Sequence, residues 1–343
     1  RAPVGSDRVG DVHVGMENYG RLDVNSGTSS RVRDFLNRMD EVIEYGLDNK
    51  ADIAIFAGDA FKTRDPNPTH QREFATRLKR LADNMPLLLL VGNHDLPGMA
   101  SKASSVDIFK ALDVPNVIVG NKPESRVVDT RSGPVFLAWL PYPMRNRLLA
   151  HDQNRGKSLQ DLDLALQTAV VTIINDLAGK AMKHDMPRIL SSHLSVSEAK
   201  LGSERSVMLG KDVTISKSVL ADQVWDYVAL GHIHKHQDVN SGSYPGIVYS
   251  GSLERIDFGE EKETKGFCWV ELEREKASWK FVRVNARPFL TIRIDVRDHD
   301  DPTAAVLSNI STHDIKGIVV RLMIKIKSQN TRMLRDKDID DTL

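Results

Sequence analysis

The chain lacks the features that mark secreted and membrane proteins. Its 343 residues include a single cysteine, Cys268, which excludes a disulfide within the chain and suits a small buried residue in the strand-like stretch GFCWVEL. The N-terminal residues show no apolar segment of a secretory signal. The longest apolar runs have the length of a strand and fall short of the about 18 residues that a transmembrane helix needs. These absences favour a cytoplasmic protein without a membrane span.

The chain also has no excess of charge of either sign. It carries 47 basic and 47 acidic residues, and its formal net charge is therefore zero. Nucleic-acid-binding proteins are often basic, so the balance argues against a globally basic binding surface. A local basic stripe is nevertheless sufficient to attract a phosphate backbone.

What the sequence does contain is an alternation of strand-like and helix-like segments. Apolar runs that end in polar residues predict strands in ADIAIFAGD, PLLLLVGNHD, PVFLAWLPYP, PRILSSHLS, WDYVALGHIH and GIVYSGS. Apolar residues near a 3.6-residue period predict helices over residues 31–49, 68–83 and 158–182. Such alternation predicts an α/β layered domain.

The pattern changes after about residue 285. The stretches RPFLTIRIDV, DPTAAVLSNIS and GIVVRLMIKI predict a strand, a short capped helix and a second strand. We therefore expect two domains, residues 1–284 and a small, incomplete domain of residues 285–343.

Polar residues that bind metal ions recur where the strand-like runs end. The candidate ligands are Asp11, His13, Asp59, Asn93, His193, His232 and His234. A lone histidine in such a loop is more often a hydrogen-bonded structural residue, but here several separate strand ends contribute a nitrogen or oxygen donor and none contributes a thiolate. Such donors suit manganese, iron or zinc. Seven donors exceed one tetrahedral site and suit two ions that share a carboxylate, for which Asp59 is the natural bridge.

The order of these motifs carries a family resemblance. Asp-x-His, Gly-Asp, Gly-Asn-His-Asp, His and Gly-His-x-His follow one another as in calcineurin-like metallophosphoesterases, over about the first 235 residues. Longer stretches, among them HLSVSEAKLGSERSVMLGKDVTI, ALGHIHKHQ, YSGSLERIDFGEEKETKGFCWVEL and NARPFLTIRIDV, resemble the SbcD / Mre-eleven family of double-strand-break repair nucleases. That resemblance extends over nearly the whole chain.

The resemblance implies a fold and a set of residue roles. The fold would be a two-sheet α/β/α sandwich followed by a small, partial α+β capping domain. Asp11, His13 and His234 would hold the first ion. Asn93, His193 and His232 would hold the second ion, and Asp59 would bridge the two. His94 would protonate the leaving oxygen or stabilise its charge, and Asp95 would orient the His94 ring.

The activity implied is manganese-dependent hydrolysis of DNA phosphodiesters by a two-metal mechanism, with Mg²⁺, Fe²⁺ or Zn²⁺ as other candidate ions. The family acts as an exonuclease on duplex ends and as an endonuclease on single strands and hairpins. It works as a homodimer with an SbcC-type coiled-coil ATPase, in the prokaryotic cytoplasm on nucleoid DNA. Two alternatives stay open: a small-molecule or cyclic-nucleotide phosphodiesterase of the same fold, and a catalytically silent scaffold.

Two further sets of residues are candidates for interfaces. The candidate DNA contacts are Tyr19, Arg21, Lys62, Arg145 and Arg147. Solvated surface charge accounts for each of these residues equally well. The candidate dimer contacts are Phe74, Leu78, Ile108, Phe109 and Leu112. Periodicity alone is equally compatible with one core inside a single chain, and the resemblance favours the dimer.

The sequence departs from the family pattern at two places. Many relatives carry a histidine soon after the Gly-Asp motif, where this chain has Lys62. The segment before Asp11, VGSDRVG, contains two glycines and two charged residues, and we expect it to be a poor strand.

Overall fold

The computed structural model describes residues 4–24, 27–97, 102–144, 158–202 and 212–343. The chain divides into two compact units. Unit 1 comprises residues 1–254 and 264–286, and unit 2 comprises residues 255–263 and 287–343. The predicted boundary after residue 284 had placed the segment 255–263 in the first domain.

Strands and helices alternate along the described residues, numbered in chain order. The strands are β1 (Val4–Val9), β2 (Leu22–Asp23), β3 (Thr28–Ser29), β4 (Ile53–Phe56), β5 (Leu87–Leu90), β6 (Val117–Gly120), β7 (Glu124–Val128), β8 (Val135–Leu140), β9 (Arg188–His193), β10 (Ser195–Val196), β11 (Thr214–Ile215), β12 (Tyr227–Gly231), β13 (Gln237–Asp238), β14 (Gly246–Tyr249), β15 (Gly266–Glu273), β16 (Lys276–Arg283), β17 (Phe289–Asp295) and β18 (Val319–Lys325). The helices are α1 (Ser30–Asp48), α2 (Pro68–Ala82), α3 (Asp107–Ala111), α4 (Leu159–Ala181), α5 (Lys217–Leu220), α6 (Pro302–Ile310) and α7 (Asp336–Thr342), with 3₁₀ turns at Phe258–Glu260 and Ser328–Met333.

Unit 1 is built on two six-stranded sheets. The first has the order β16-β15-β1-β4-β5-β6, and the second has the order β13-β14-β12-β9-β8-β7. The strands β1, β4, β5 and β6 run parallel to one another, as do β8, β9, β12 and β14. Loops that leave parallel strands at their carboxyl ends therefore meet at one edge of each sheet, where α/β proteins bind ligands.

The two sheets pack face to face with helices outside them. In β4, Ile53 and Ile55 point into the core between the sheets, whereas Ala54 and Phe56 point towards the core beneath α1 and α2. This alternation is the two-residue period of a strand that is covered on both faces. It explains why the runs IAIF and LLLL are continuously apolar. The predicted α/β sandwich is confirmed.

Helix α4 covers the second sheet. It is long and apolar enough, over Gln160–Ala181, to meet the length and composition of a membrane span. Its face formed by Leu166, Val170 and Ile174 is buried in the core against that sheet. Such a face is typical of the core helix of a layered α/β unit.

The segment before Asp11 forms a strand, and the expectation that it would not is wrong. The backbone of β1 pairs with β15 on one side and with β4 on the other. Gly5 also donates its N–H to the carboxylate of Asp52. A strand between two neighbours gains backbone hydrogen bonds on both edges, and this tertiary pairing overrides the low strand propensity of glycine and charged residues.

The predicted dimer surface is largely interior. Phe74, Leu78 and Phe109 lie in the core beneath the first sheet, where Phe74 packs edge-on against Phe56 and in tilted contact with Phe109. These three residues are corrections to the prediction, because their faces close against their own sheet and are not available to a second copy. Ile108 and Leu112 are exposed at 51% and 67%.

Unit 2 contains the predicted strand, helix and strand. Strands β17 and β18 are parallel partners, and α6 connects them, with Asp301 capping its N-terminus through Ala304 N–H. The helix packs on the strand pair through a small core. That core includes Ile292, Ile294, Val296, Val306 and Ile310.

Candidate metal centre

All seven predicted ligand residues lie at the carboxyl ends of central strands of unit 1. Asp11 and His13 follow β1, Asp59 follows β4 and Asn93 follows β5 in the first sheet; His193 ends β9, and His232 and His234 follow β12 in the second sheet. Six of them are at most 9% exposed, and Asn93 is half-buried. Parallel pairing thus brings together residues that are more than 200 positions apart in the chain.

One group of donor atoms gathers around His13. Its Nε2 atom lies 3.1 Å from His234 Nε2 and 3.8 Å from Asp59 Oδ2. The His94 ring packs edge-on against the His13 ring, with 5.0 Å between centroids. Ligand atoms of His13, Asp59 and His94 all lie within 4.8 Å of one another, which is close enough for a metal ion to contact them.

A second group gathers around Asn93. Its Oδ1 atom lies 3.0 Å from His193 Nε2 and 2.9 Å from His232 Nδ1. His193 Nε2 lies 3.4 Å from Asp59 Oδ2, so the Asp59 carboxylate belongs to both groups. The structure therefore brings six of the seven predicted ligands into two adjoining groups that share Asp59. The seventh, Asp11, borders the second group, with its Oδ1 atom 3.8 Å from His193 Nδ1.

The backbone that delivers these side chains is strained. His13, Asp59 and His232 have positive φ angles of 51°, 51° and 94°, in the left-handed region that residues with a side chain seldom adopt. Backbone strain of this kind costs on the order of 1–3 kcal/mol per residue and concentrates at functional sites. Three of the seven predicted ligands carry it.

Close packing of the strand ends explains why two of the motifs contain glycine. A Cβ atom on Gly92 would lie 2.1 Å from Asp59 Oδ1, and one on Gly231 would lie 2.1 Å from the carbonyl oxygen of Ala57. Both distances are far below van der Waals contact. Only glycine at these positions lets β5 and β12 bring Asn93 and His232 up to the loop that carries Asp59.

The Asp59 charge dominates the electrostatics of the centre. Burial acts to raise the pKa of Asp59, but the neighbouring His193 outweighs it and holds that pKa well below its usual range. Burial acts to lower the pKa of His193, and Asp59 together with Asp11 raises it to about 9. Burial lowers the pKa of His13 well below its usual range, with Asp59 opposing and His234 reinforcing the shift. Histidines of both groups thus respond to one carboxylate.

The donor set fits divalent cations. It consists of imidazole nitrogens, carboxylate oxygens and an amide oxygen, which suit manganese, iron or zinc. Asp11 Oδ1 accepts a hydrogen bond from His232 N–H, whereas Asp11 Oδ2 and His13 Nδ1 are buried and have no partner among the described residues. A buried carboxylate oxygen without a partner is costly unless a cation or another donor satisfies it.

His94 is held by the backbone and not by Asp95. The His94 Nδ1 atom lies 2.9 Å from the carbonyl oxygen of Lys62, and the His94 N–H donates to Asp59 Oδ1. The Asp95 carboxylate instead accepts from Ala60 N–H, Phe61 N–H, Gly92 N–H and the Ser105 hydroxyl. The predicted orientation of the His94 ring by Asp95 is therefore wrong. Asp95 fixes the backbones of the two loops that carry Asp59 and His94.

Burial and the nearby Asp59 charge raise the pKa of Asp95 to about 7, against the opposing effect of its backbone donors. The contact of His94 with residue 62 is made by the backbone carbonyl, so it does not depend on the side chain at that position.

The predicted DNA contacts fall in different places. Tyr19 is 51% exposed and Arg21 is exposed, in the segment that follows His13. Lys62 is half-buried beside the centre. Arg145 and Arg147 lie outside the described residues.

Sequence reasoning missed three polar residues beside the second group, Asp212, Tyr142 and Ser195, of which Asp212 and Tyr142 contact His232. His232 Nε2 lies 2.6 Å from Asp212 Oδ2, and the same carboxylate accepts from the Tyr142 and Ser195 hydroxyls. Burial acts to raise the pKa of Asp212, but these hydrogen bonds outweigh it and hold that pKa below its usual range. In the sequence, Tyr142 and Ser195 appear only as polar residues soon after β8 and β9, in LPYP and SSHLS. Asp212 appears only as a carboxylate before the short apolar run VTI.

Comparison with known proteins agrees with this geometry. Residues 9–236 match the calcineurin-like phosphoesterase family. The chain is 28% identical over 286 residues to the SbcD protein of the SbcCD nuclease from Bacillus subtilis and 23% identical over 270 residues to the SbcD protein from Staphylococcus saprophyticus. It is 23% identical over 353 residues to "DNA double-strand break repair protein Mre11" of Methanosarcina mazei.

These alignments cover 80%, 77% and 97% of this chain, and 68%, 66% and 46% of the three relatives. The chain therefore spans between about half and two thirds of the length of these relatives. Among solved structures, a dimetal phosphatase from Danio rerio superimposes with a TM-score of 0.50 at 12% identity, over 82% of this chain and 96% of that one. At this identity the likeness concerns the fold alone.

Proposed function

We propose that this chain, which belongs to the calcineurin-like phosphoesterase family, is a metal-dependent DNA nuclease of double-strand-break repair. The observation that carries the proposal is the convergence of seven residues with nitrogen or oxygen donors at the strand ends, six of them in two groups that share Asp59, with His94 beside them. The relatives named for SbcCD and for double-strand-break repair support DNA as the substrate.

We assign the donor residues to two cations, with manganese as the preferred ion. Asp11, His13 and His234 would hold one ion, and Asn93, His193 and His232 the other, with Asp59 shared. When bound, a pair of divalent cations supplies Lewis-acid stabilisation of the charge that develops on a phosphodiester and lowers the pKa of water towards neutrality.

His94 is the residue that we assign to proton transfer. A carbonyl oxygen only accepts hydrogen bonds, so the contact with Lys62 keeps a proton on Nδ1 and leaves Nε2 to face the reactants. In the imidazolium form Nε2 also carries a proton, which would stabilise or protonate the leaving oxygen, a role that contributes about 10²–10⁴-fold to the rate in other enzymes. The strained, buried loop around Asp59 keeps the imidazole in place.

Backbone phosphates of DNA would be held by side chains near the centre, of which Tyr19, Arg21 and Lys62 are the described candidates. Contacts of this kind hold DNA without reading its sequence. We further propose that residues 285–343 form part of a capping domain, and that the whole protein acts in the cytoplasm with an SbcC-type ATPase. The homodimer also remains a prediction, with Ile108 and Leu112 as the exposed residues of the predicted patch.

The test compares the parent chain with His94→Ala and Asp59→Ala. We expect Mn²⁺-dependent cleavage of linear duplex and single-stranded DNA by the parent. His94→Ala should retain both ions and lose about 10²-fold or more in rate, since it removes a proton-transfer group. Asp59→Ala should lose at least one ion together with activity. His184→Ala is the matched control, because His184 stacks on Phe136 away from the centre.

Two results would redirect the proposal. Turnover of bis(p-nitrophenyl) phosphate without cleavage of DNA would favour a small-molecule or cyclic-nucleotide phosphodiesterase. A parent chain without bound metal and without hydrolysis would favour a silent scaffold.

Phosphate-mediated DNA binding also predicts that affinity falls with salt by about 0.9 logarithmic units per logarithmic unit of salt for each duplex contact. A flat response would remove the assigned contacts.

A further inference from the structure

The Asp212 carboxylate joins three segments of unit 1 that are distant in the chain. Its Oδ2 atom lies 2.6 Å from His232 Nε2 and accepts from the Ser195 hydroxyl, and its Oδ1 atom lies 2.7 Å from the Tyr142 hydroxyl. Tyr142 comes from the end of β8, Ser195 from β10, and His232 from the end of β12. Three donors thus converge on one largely buried carboxylate.

The position of Asp212 is set by the fold. The next residue, Val213, is buried in the core beneath α4, and Thr214 pairs with Ser195 in the β10–β11 ladder. Gln167 of α4 donates to the Thr214 carbonyl oxygen at 3.1 Å. The carboxylate is therefore held in place by packing and by a helix contact, in addition to its own hydrogen bonds.

Tyr142 is likewise anchored. Its N–H donates to the carbonyl oxygen of Val91 at 3.0 Å, next to the loop that carries Asn93. Its ring lies 5.5 Å from the His232 ring, in a tilted arrangement. The tyrosine thus contacts the carboxylate with its hydroxyl and borders the imidazole with its ring.

The carboxylate has a direct consequence for His232. An ionised carboxylate only accepts hydrogen bonds, so Asp212 fixes the proton of His232 on Nε2 and leaves Nδ1 as the nitrogen that faces Asn93 Oδ1. His193, the other histidine of this group, is oriented differently, because its Nδ1 atom faces the Ala57 carbonyl oxygen at 2.6 Å. His193 therefore presents Nε2 to Asn93 Oδ1, and His232 presents Nδ1 to the same oxygen.

We propose that Asp212 is a positioning residue of the metal centre, which fixes the ring and the tautomer of His232 so that Nδ1 binds the ion shared with Asn93 and His193. Tyr142 and Ser195 hold the carboxylate for this role. The inference rests on the two-ion site of the proposed function. Partners of this kind orient metal-binding histidines in other proteins, and their loss typically weakens metal binding about 10- to 100-fold.

The experiment measures manganese binding rather than turnover. Mn²⁺ is titrated into the metal-free chain by calorimetry, and the spin-coupled signal of a manganese pair is followed by electron paramagnetic resonance. We expect Asp212→Ala to bind one of the two ions about 10- to 100-fold more weakly than the parent does. The other ion should stay bound, and the spin-coupled signal should disappear. His232→Ala removes the ligand itself, so its loss of affinity for that ion is the largest that Asp212→Ala can approach. Tyr142→Phe should lower the affinity for the same ion to a smaller extent.

Asp52→Asn is the matched control. Asp52 is another buried carboxylate of unit 1 that accepts from a backbone N–H and from a serine hydroxyl, at the opposite ends of the strands. This variant should bind both ions as the parent does. A comparable loss of manganese in Asp52→Asn would overturn the inference, because the effect would then reflect general destabilisation.

The outcomes separate the two proposals. A parent with two ions and an Asp212→Ala variant with parental affinity for both would overturn the role of Asp212 alone. A parent that binds fewer than two ions would overturn the proposed function and this inference with it. If Asp212→Ala does not fold, Asp212→Leu, which has a similar branched shape and no acceptor, decides: weaker binding of one ion supports the role, and parental binding of both ions overturns it.

Discussion

The strands β4 and β12 of unit 1 carry buried polar residues at both ends, and the two ends differ in how those residues are satisfied. At the amino end of β12, Asp226 accepts from Arg188 N–H, Glu275 N–H, Arg274 and Tyr244. At the carboxyl end, His232 Nδ1 lies 2.9 Å from Asn93 Oδ1, and both atoms belong to the second group of candidate ligands. Asp226 is saturated with protein donors, whereas the carboxyl end gathers donors that face one another.

Strand β4 shows the same contrast. Asp52 precedes it and accepts from Gly5 N–H and from the backbone and hydroxyl of Ser132. Asp59 follows it on a strained backbone, close to His13 and His193. A buried carboxylate with a full set of protein donors stabilises the fold, and one that faces other ligand atoms is available to bind an ion.

Removal of the saturated carboxylate should have the largest effect on stability. We expect Asp226→Ala to lower the free energy of unfolding by about 3 kcal/mol or more, because two backbone N–H groups and the Arg274 guanidinium lose their acceptor. Urea denaturation measures the loss, and Tyr244→Phe, which removes a single donor, should lose less. A loss in Asp226→Ala no greater than in Tyr244→Phe would contradict the comparison.

Metal should stabilise the opposite end. Mn²⁺ at about 100 times its dissociation constant should raise the free energy of unfolding of the parent by about 2.7 kcal/mol, because it binds the folded chain. A thermal-shift titration measures the gain, and a chelator should reverse it. Asp226→Ala should gain as much stability from manganese as the parent does, although its metal-free stability is lower. Asp59→Ala should gain little stability from manganese. An equal gain in Asp59→Ala would place the ion elsewhere.

Asp52 should matter less than Asp226. We expect Asp52→Asn to lower the free energy of unfolding by about 1–2 kcal/mol, since its amide still accepts one of the hydrogen bonds that the carboxylate accepted. Denaturant unfolding in the presence of a chelator measures this effect. A loss that appears only when manganese is present would contradict the assignment of Asp52 to the structural end.

The smallest effect on stability should come from a residue of the metal centre. In the metal-free chain, Asp11→Asn should change the free energy of unfolding by less than about 1 kcal/mol, because Asp11 Oδ2 has no partner among the described residues and an amide oxygen still accepts from His232 N–H. Calorimetry should show that the same variant loses manganese binding. A destabilisation as large as that of Asp226→Ala would break the contrast between the two ends.

Sequence patterns identified much of this site because its residues follow apolar runs directly. Asn93 and His94 come straight after LLLLVG, and His232 straight after YVALG, so the strand pattern also located the loops. Asp212 has no such signal, because it precedes a two-residue strand and its partner His232 lies 20 residues further along the chain.

Two expectations failed for related reasons. β1 looked unsuited to a sheet, yet neighbours on both edges supply its hydrogen bonds. Phe74 and Phe109 lay on apolar faces that periodicity could assign equally to a core or to a dimer, and their contact with each other places them in one core. Propensity and periodicity describe one segment at a time, whereas pairing and burial depend on which segments meet.

The sequence by itself determined the residue types of the centre, the order of strands and helices, and the strand ends that carry the donors. These follow from local pattern, because the spacing of apolar residues and the polar residues that end each run can be read within a few neighbouring positions. Only the tertiary structure decided which donors face each other, that Asp95 binds loop backbone and not the His94 ring, and that Asp212 contacts Nε2 of His232. Those contacts join residues up to 221 positions apart, and their geometry depends on how the two sheets pack.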